Sequence, residues 1–294
     1  LRYSEFVFAN SSIDGSVPKI IKEKCKMRQK ITCELCTAVV ALAQRAGQAI
    51  MGIYQADELT WTVKCDASPV CQADLLAHEV LVAGLAALTP GLAIVSEEGG
   101  EQDRARLISG QFWLIDPLDG TKEFISRRDE FTVNVALVDD GRPVFGVVVA
   151  PALGLAYWGV PGIGAFRADA AGVTAIHAAP PLAAGPLRVV ASKSHLNEET
   201  QAFIAGLGAC ELVQAGSSLK FCRIAEGAAD IYPRLGPTCE WDTAAAQAVL
   251  EAAGGTVCTF SGHALQYGKP EVLNPFFVAS APGIQKPGPQ NANA

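Results

Sequence analysis

No apolar run in this sequence approaches the roughly 18 uninterrupted residues that would suggest a membrane span. Near its start the chain also lacks a compact apolar segment followed by a cleavage site, so no secretory signal is expected. Its cysteines form no disulfide framework: there are nine, an odd number, scattered from Cys25 to Cys258, which fits a reducing cytoplasm. Cys33-Glu34-Leu35-Cys36 has redox or zinc spacing, but neither a second cysteine pair nor a histidine pair follows at a zinc-site distance. Two positions three apart on a helix explain it better. Excess positive charge is missing too. A formal charge of −7 argues against nucleic acid as the main partner and sets a problem for an enzyme of anionic substrates.

What is present suits an enzyme. With 294 residues, 50% of them hydrophobic, the chain can fill one large core or two packed domains. Charge is uneven: residues 1–30 carry seven Lys/Arg against three Asp/Glu, leaving the remainder near −11. This basic leader includes Lys19, Lys22, Lys24, Lys26, Arg28 and Lys30 and has little apolar periodicity. It is expected to be a dispensable arm; a membrane-surface contact, or an upstream extension with Met27 as the true start, are the alternatives. Residues 281–294, with their Pro, Gly, Gln and Asn, read as a disordered tail.

The chain is organised around Phe112-Trp113-Leu114-Ile115-Asp116-Pro117-Leu118-Asp119-Gly120-Thr121-Lys122-Glu123-Phe124. Four large apolar residues, a carboxylate, a Pro and then Asp-Gly-Thr predict a buried strand that stops and turns into a helix. Pro117 cannot donate to a sheet ladder and keeps Asp116 out of the helical region, so Asp116 is expected at the strand's end with its carboxylate in open space. Asp119 returns across the turn toward the same point, and Gly120 permits an unusual backbone angle. Two carboxylates beside a helix N-terminus suit divalent cations and, next to them, a phosphate held by the amides of Gly120 and Thr121. Asp-x-x-Asp-Gly also occurs in ordinary turns, where Asp only caps backbone groups.

Two further acidic stretches tip that balance. Upstream, Leu92-Ala93-Ile94-Val95-Ser96-Glu97-Glu98-Gly99-Gly100 is a short apolar strand ending in acids and glycines; downstream, Glu240-Trp241-Asp242-Thr243-Ala244-Ala245-Ala246 opens a helical run that ends at Gly254-Gly255. Asp242 alone could be a helix cap. In this order, however, the three stretches resemble the signature of the inositol monophosphatase-like superfamily of metal-dependent phosphatases, from about Cys33 to Ala279. The resemblance implies the sugar-phosphatase fold, mixed α+β and α/β in a layered α-β-α-β-α sandwich, with the metal site between an N-terminal half (31–182) and a C-terminal half (183–280).

Periodicity places the elements. Helices are expected over Leu35–Tyr54 and Cys71–Leu88, with an extended segment and turn over Trp61–Val70 between them. Phe131–Val138, Pro143–Ala150, Leu155–Trp158 and Gly162–Phe166 read as an antiparallel meander. The Ala/Pro-rich stretch Ala178–Pro186 is the candidate boundary. Beyond it the order alternates: strand Leu187–Ala191, helix Glu198–Leu207, strand Glu211–Gln214, helix Leu219–Glu226, strand Ala229–Tyr232, helix Asp242–Ala253, then strands near Val257 and Phe277.

Other residues point to the kind of phosphate ester. Ser192-Lys193-Ser194-His195 gathers hydroxyls, a cation and an imidazole; Gly216-Ser217-Ser218-Leu219-Lys220-Phe221-Cys222 enters a helix through a turn that could hold an anion; and Tyr232-Pro233-Arg234-Leu235-Gly236-Pro237-Thr238 precedes Asp242. Each has a plainer explanation, Ser217 as a cap, Tyr232 as core and His195 as surface. Taken with Thr121-Lys122-Glu123-Phe124, their order resembles the CysQ-type branch of the superfamily, the 3′(2′),5′-bisphosphate nucleotidases. That branch removes the 3′-phosphate of adenosine 3′,5′-bisphosphate in sulfur metabolism. Two positions depart from the pattern: Cys71 replaces the Thr of Pro-Val-Thr-x-Ala-Asp, and Ala246 replaces the Gly after Trp-Asp-Thr-Ala-Ala.

The same resemblance implies two or three Mg²⁺ ions: one held by Glu97, Asp116 and the Leu118 carbonyl, a second by Asp116, Asp119 and Asp242, with Asp116 bridging. Glu97, Thr121 and Asp74 are the implied catalytic residues, the last two orienting the attacking water. Glu97, Leu118, Asp119, Gly120, Thr121 and Asp242 would line the scissile phosphate, and Ser217, Lys220, Tyr232 and Arg234 the nucleotide. Glu98 either positions a further water or ion or faces solvent. Cations at the acids would reverse the local sign where phosphate must bind, which answers the charge problem. The implied partner is a small bisphosphate nucleotide, not nucleic acid; the implied setting is the cytoplasm, with a peripheral membrane contact as an option, and lithium sensitivity is expected. Oligomeric state is left open. Inositol monophosphatase or fructose 1,6-bisphosphatase activity, and a non-catalytic phosphonucleotide sensor, are the competing functions.

Overall fold

A computed structural model describes residues 29–56, 61–63, 69–100, 110–181, 185–191 and 197–284, with the backbone alone of 61–63 and 69–71. The basic leader up to residue 28, the Ser192–His195 stretch, the side chain of Cys71 and everything past 284 lie outside the described residues.

The first helix, α1 (Cys33–Tyr54), starts where Thr32 accepts a hydrogen bond from the Leu35 amide, a side-chain N-cap. Its length and hydropathy would also suit a membrane span. Here Val39, Leu42, Ala43, Ala46 and Ile50 are buried in a protein core instead. A short hairpin of β1 (Trp61–Val63) and β2 (Pro69–Cys71) leads into α2 (Gln72–Leu88), which packs along α1. Then comes a seven-stranded sheet in sequence order: β3 (Ala93–Ser96), β4 (Gln111–Asp119), β5 (Thr132–Asp139), β6 (Arg142–Ala150), β7 (Leu155–Val160), β8 (Gly164–Asp169) and β9 (Gly172–Ile176). The β3–β4 pair is parallel and the rest antiparallel, so the expected meander is present; it runs one strand further than expected, to β9, four of whose five residues are exposed.

Alternation along these strands sorts two cores. Trp113, Ile115, Val133, Val135, Phe145 and Val147 face α1 and α2; Phe112, Leu114, Ala136, Val138 and Val148 face the other way. On that other face lie α5 (Leu219–Ala225) and α6 (Glu240–Ala252), and beyond them a five-stranded sheet in the order β11 (Cys210–Gln214), β10 (Leu187–Ala191), β12 (Ile231–Arg234), β14 (Phe277–Ser280), β13 (Thr256–Thr259). The outermost layer is α4 (Glu198–Gly206), whose Phe203 and Ile204 cover Val189 and Ile231. A helix–sheet–helix–sheet–helix stack results, as the resemblance implied. The remaining short helix, α3 (Thr121–Ile125), follows β4 directly.

Close approach of α6 to the large sheet is set by a missing side chain. A Cβ on Gly146 in β6 would lie 2.1 Å from the Ala245 carbonyl oxygen, which no real contact permits. The alanine-rich face of α6 completes this fit, and Ala246 is fully buried in it.

Two expectations are corrected. The central strand does not stop at Asp116: β4 carries on through Pro117 to Asp119, pairing Asp116 with Asn134 and then Asp119 with Thr132 after a shift in register. A bulge lets Pro117 sit where no ladder donor is needed. At the other end, order extends past the expected limit, because Ala281 is buried and Ile284 packs on the core, so the tail does not begin at 281.

Candidate active site

The bulge in β4 changes where the carboxylates go. Asp116 was expected in open space; it is 1% exposed, on the face of β4 that looks toward α6. Its Oδ1 accepts a hydrogen bond from the Leu118 amide at 3.0 Å, which folds the bulge around it. Asp119 ends the same strand, half-buried. Asp242 arrives from the other side as the third residue of α6; its Oδ2 accepts from the Cys239 amide at 2.8 Å, capping the helix that presents it. Glu97 follows β3, anchored by its amide on the Ile115 carbonyl at 3.1 Å. Four acids from three segments thus surround one region.

Their charges are felt. Burial, and after it the carboxylates of Glu97, Asp119 and Asp242, hold Asp116 well above the usual carboxylate range; Glu97 also hydrogen-bonds its protonated form. Asp242 keeps some surface on the cleft, yet burial and then Asp119 push it up to about 8 against the pull of the Cys239 amide, with Glu97 adding to the rise and Arg234 opposing it. Among the described residues no three acidic, thiol or imidazole side chains stand as a ready-made shell. These acids repel across the site, and hard divalent cations, which take carboxylate and carbonyl oxygens, convert such repulsion into coordination. The donor set therefore fits Mg²⁺.

Thr121 and Asp74 meet. Asp74, 2% exposed in the first turn of α2, accepts from Thr121 Oγ1 at 3.2 Å; the same hydroxyl also lies 3.3 Å from the Leu118 carbonyl. Gly120, at φ +90, makes the turn between β4 and α3, and a Cβ there would meet Ser217 Oγ at 2.2 Å.

The remaining candidates line an open cleft of about 340 Å³ beside the acids. Lys220, Tyr232 and Arg234 form its far wall with Thr238 and Phe277. Lys220 Nζ donates to the Ser217 carbonyl at 2.8 Å and stands 5.6 Å from the Tyr232 ring centroid. Arg234 donates through Nη2 to the Pro237 carbonyl, while its buried Nε–H has no partner among the described residues. Ser217 borders the cleft, but its Oγ lies 2.9 Å from each of two backbone carbonyls, Asp119 and Glu130, which share its single proton. That geometry makes it a clasp between the two sides. The Ser192–His195 candidates lie outside the described residues.

Sequence reasoning passed over Thr132, Asn134, Ser218 and Thr238. A signal existed for two of them: Thr132 and Asn134 are polar residues that alternate with valines at the start of an otherwise apolar strand ending in Asp139, on the face that carries Asp116. Ser218 stood beside the residue that was singled out.

A family model described as the inositol monophosphatase family matches residues 32–287. The 3′(2′),5′-bisphosphate nucleotidase CysQ of Salmonella typhimurium is 45% identical over 244 residues, covering 81% of this chain and 96% of the relative. The protein of that name from Buchnera aphidicola is 37% identical, covering 83% and 92%. Among solved structures, CysQ of Bacteroides thetaiotaomicron, described as a bacterial member of the inositol monophosphatase family, superposes with a TM-score of 0.73 at 38% identity, covering 84% and 96%. The suhB protein of Bartonella henselae, at 23% identity and a TM-score of 0.68 over 84% and 93%, shares the fold.

Proposed function

The chain belongs to the inositol monophosphatase family, and from that premise we propose that it is a Mg²⁺-dependent 3′(2′),5′-bisphosphate nucleotidase. Its substrate is adenosine 3′,5′-bisphosphate, cleaved to AMP and phosphate in sulfur assimilation, with the 5′-phosphosulfate analogue, 3′-phosphoadenylyl sulfate, as a second substrate. One observation carries the reading beyond the names of the relatives: an acid cluster and a cationic wall face one cleft, and the wall offers a buried Arg234 N–H that has no partner among the described residues. A phosphate ester with a second, remote anionic group uses both.

Glu97, Asp116 and the Leu118 carbonyl would hold one cation, and Asp116, Asp119 and Asp242 another, two or three ions in all. When bound, they supply Lewis-acid polarisation of the phosphate and acidify water. The chain's own groups do the rest. Thr121 donates its proton to Asp74, so its oxygen lone pairs are turned outward to accept from the attacking water and aim it in line with the ester bond. Amides at Gly120 and Thr121 face the scissile phosphate. Lys220, Tyr232 and Arg234 take the remote phosphate and base, and Ser217 shapes that wall. We place the reaction in the cytoplasm, in keeping with free thiols at Cys33, Cys36, Cys210 and Cys222.

A substrate panel at matched Mg²⁺ tests this: adenosine 3′,5′-bisphosphate, 3′-phosphoadenylyl sulfate, inositol 1-phosphate and fructose 1,6-bisphosphate. Only the nucleotides offer adenine together with a remote phosphate to the second wall, and that binding energy can be used in the transition state. Their kcat/KM should exceed that of either sugar phosphate by at least about a hundredfold, roughly 2.7 kcal/mol. Equal rates on inositol 1-phosphate would remove the nucleotidase reading. Nucleotide binding without turnover of any of the four would favour a sensor.

A further inference from the structure

Below the acids, between β5 and the start of α5, two fully buried polar side chains meet. Asn134 and Ser218 are each 1% exposed. Asn134 Nδ2 donates to Ser218 Oγ at 2.9 Å and reaches Asp119 Oδ2 at 3.4 Å. Ser218 Oγ in turn lies 3.1 Å from the same Asp119 oxygen and 2.9 Å from the backbone carbonyl of Asp242. Its one proton goes to one or the other, and the Asn134 amide fills the acceptor side. Thr132 Oγ1 adds a longer contact to Asp119 Oδ2, at 3.5 Å.

The cost of this arrangement is visible. Asn134 Oδ1 is buried with no hydrogen-bond partner among the described residues, and an orphaned buried carbonyl destabilises a fold. An apolar residue at this strand position would avoid it. The amide is turned to place its donors on a carboxylate and a hydroxyl, at the expense of its own oxygen.

We infer that Asn134 and Ser218 are positioning residues that fix the Asp119 carboxylate against the first turn of α6, and so set the cation affinity of the site. With Asp119 Oδ2 engaged by these donors, its Oδ1 is the oxygen left to turn toward a metal. Because Ser218 directly precedes α5, which carries Lys220, the same pair links the cation side of the cleft to its cationic wall. The inference rests on the reading of Asp119 as a Mg²⁺ ligand.

The test uses Asn134→Leu and Ser218→Ala, with Asp116→Asn as a control. Mg²⁺ affinity is measured by calorimetry, melting temperature on the metal-free proteins, and kcat and KM at saturating Mg²⁺. Each single variant should weaken Mg²⁺ about fivefold or more, with kcat within about threefold once Mg²⁺ saturates. The double variant should be no weaker than the worse single one, since both act through Asp119. Asn134→Leu should leave the metal-free melting temperature unchanged or higher, a split that a merely structural residue would not show. Unchanged Mg²⁺ affinity in Ser218→Ala, or a loss of melting temperature in Asn134→Leu with affinity intact, overturns the inference. Should Asn134→Leu fail to fold, Ser218→Ala decides alone. Failure of the underlying reading looks different: the parent protein would then bind no Mg²⁺, or Asp116→Asn would bind it equally well.

Discussion

On one side of the cleft the acids Asp116 and Asp119 sit in a strand hydrogen-bonded to both neighbours in the large sheet, while on the other Ser217, Lys220 and Arg234 come from a turn, a seven-residue helix and a strand of the small sheet. The first wall is backed by Trp113, Ile115, Phe124 and Phe131, all fully buried. It can hold like charges together against their repulsion because both acids are paired to β5 and the strand that leads into them stands on this buried core. The second wall carries fewer charges, partly satisfied by nearby backbone carbonyls. Reaction chemistry is placed where rigidity is greatest, and substrate choice where the chain is simplest to vary. Substitutions on the first wall should therefore act on kcat and metal, and those on the second on KM.

The largest effect should come from Asp116→Asn. It would lose the bridging carboxylate while keeping its shape, so kcat at saturating Mg²⁺ is expected to fall on the order of 10³-fold, about 4 kcal/mol of charge stabilisation. The metal-free protein should melt no lower, because a buried, repelled carboxylate has gone. Turnover close to that of the parent would show that the acids are structural. Thr121→Ala comes next, with kcat down about 10²-fold if the hydroxyl aims water. Mg²⁺ affinity should stay within about twofold; a parallel collapse would make Thr121 part of the metal site's scaffold.

How far this contrast could be read from sequence differs between the walls. Asp119 and Asp242 stand at ends of strongly patterned elements, so their elements were legible; that Asp242 joins the other acids was legible only through the resemblance, and the bulge that carries β4 past Asp116 and buries it was not. A register shift depends on which partner residues lie opposite, here Asn134 and Thr132, and one strand's pattern cannot show that. The second wall was named but its roles were not fixed. Whether a hydroxyl such as that of Ser217 faces ligand or backbone depends on contacts with residues about ninety positions away, at Asp119 and Glu130.

Acidity offers a finer probe of the first wall. In the folded, metal-free protein Asp242 is pushed up to about 8, far above its ordinary value of 3.8. A raised carboxylate binds its proton more tightly folded than unfolded, so unfolding releases protons and stability falls as pH rises through the interval between the two values. Metal-free melting temperature should thus drop between about pH 4 and pH 8 relative to Asp242→Asn, and the difference should level off above 8. Mg²⁺ should stabilise increasingly over the same interval, since it competes with protons for the acids. A difference between the two proteins that does not vary with pH would mean that Asp242 is not repelled in the folded state.

The smallest effect is expected on the second wall, from Ser217→Gly. Ser217 has φ +46, a left-handed conformation that costs a side-chain-bearing residue about 1 kcal/mol and glycine nothing. Removing the hydroxyl loses a hydrogen bond to the Asp119 or Glu130 carbonyl, worth about 1 kcal/mol, and glycine also gives the unfolded chain more freedom. The terms nearly cancel, so stability should move by no more than about 1 kcal/mol. The kinetic readout is the sharper one. A clasp whose proton is already shared between two carbonyls donates nothing to a nucleotide, and KM for adenosine 3′,5′-bisphosphate should stay within about twofold; a hydroxyl that bound phosphate would raise KM about tenfold on removal, roughly 1.4 kcal/mol. A rise of that size would return Ser217 to the binding wall and move the dividing line between the two walls toward the acids.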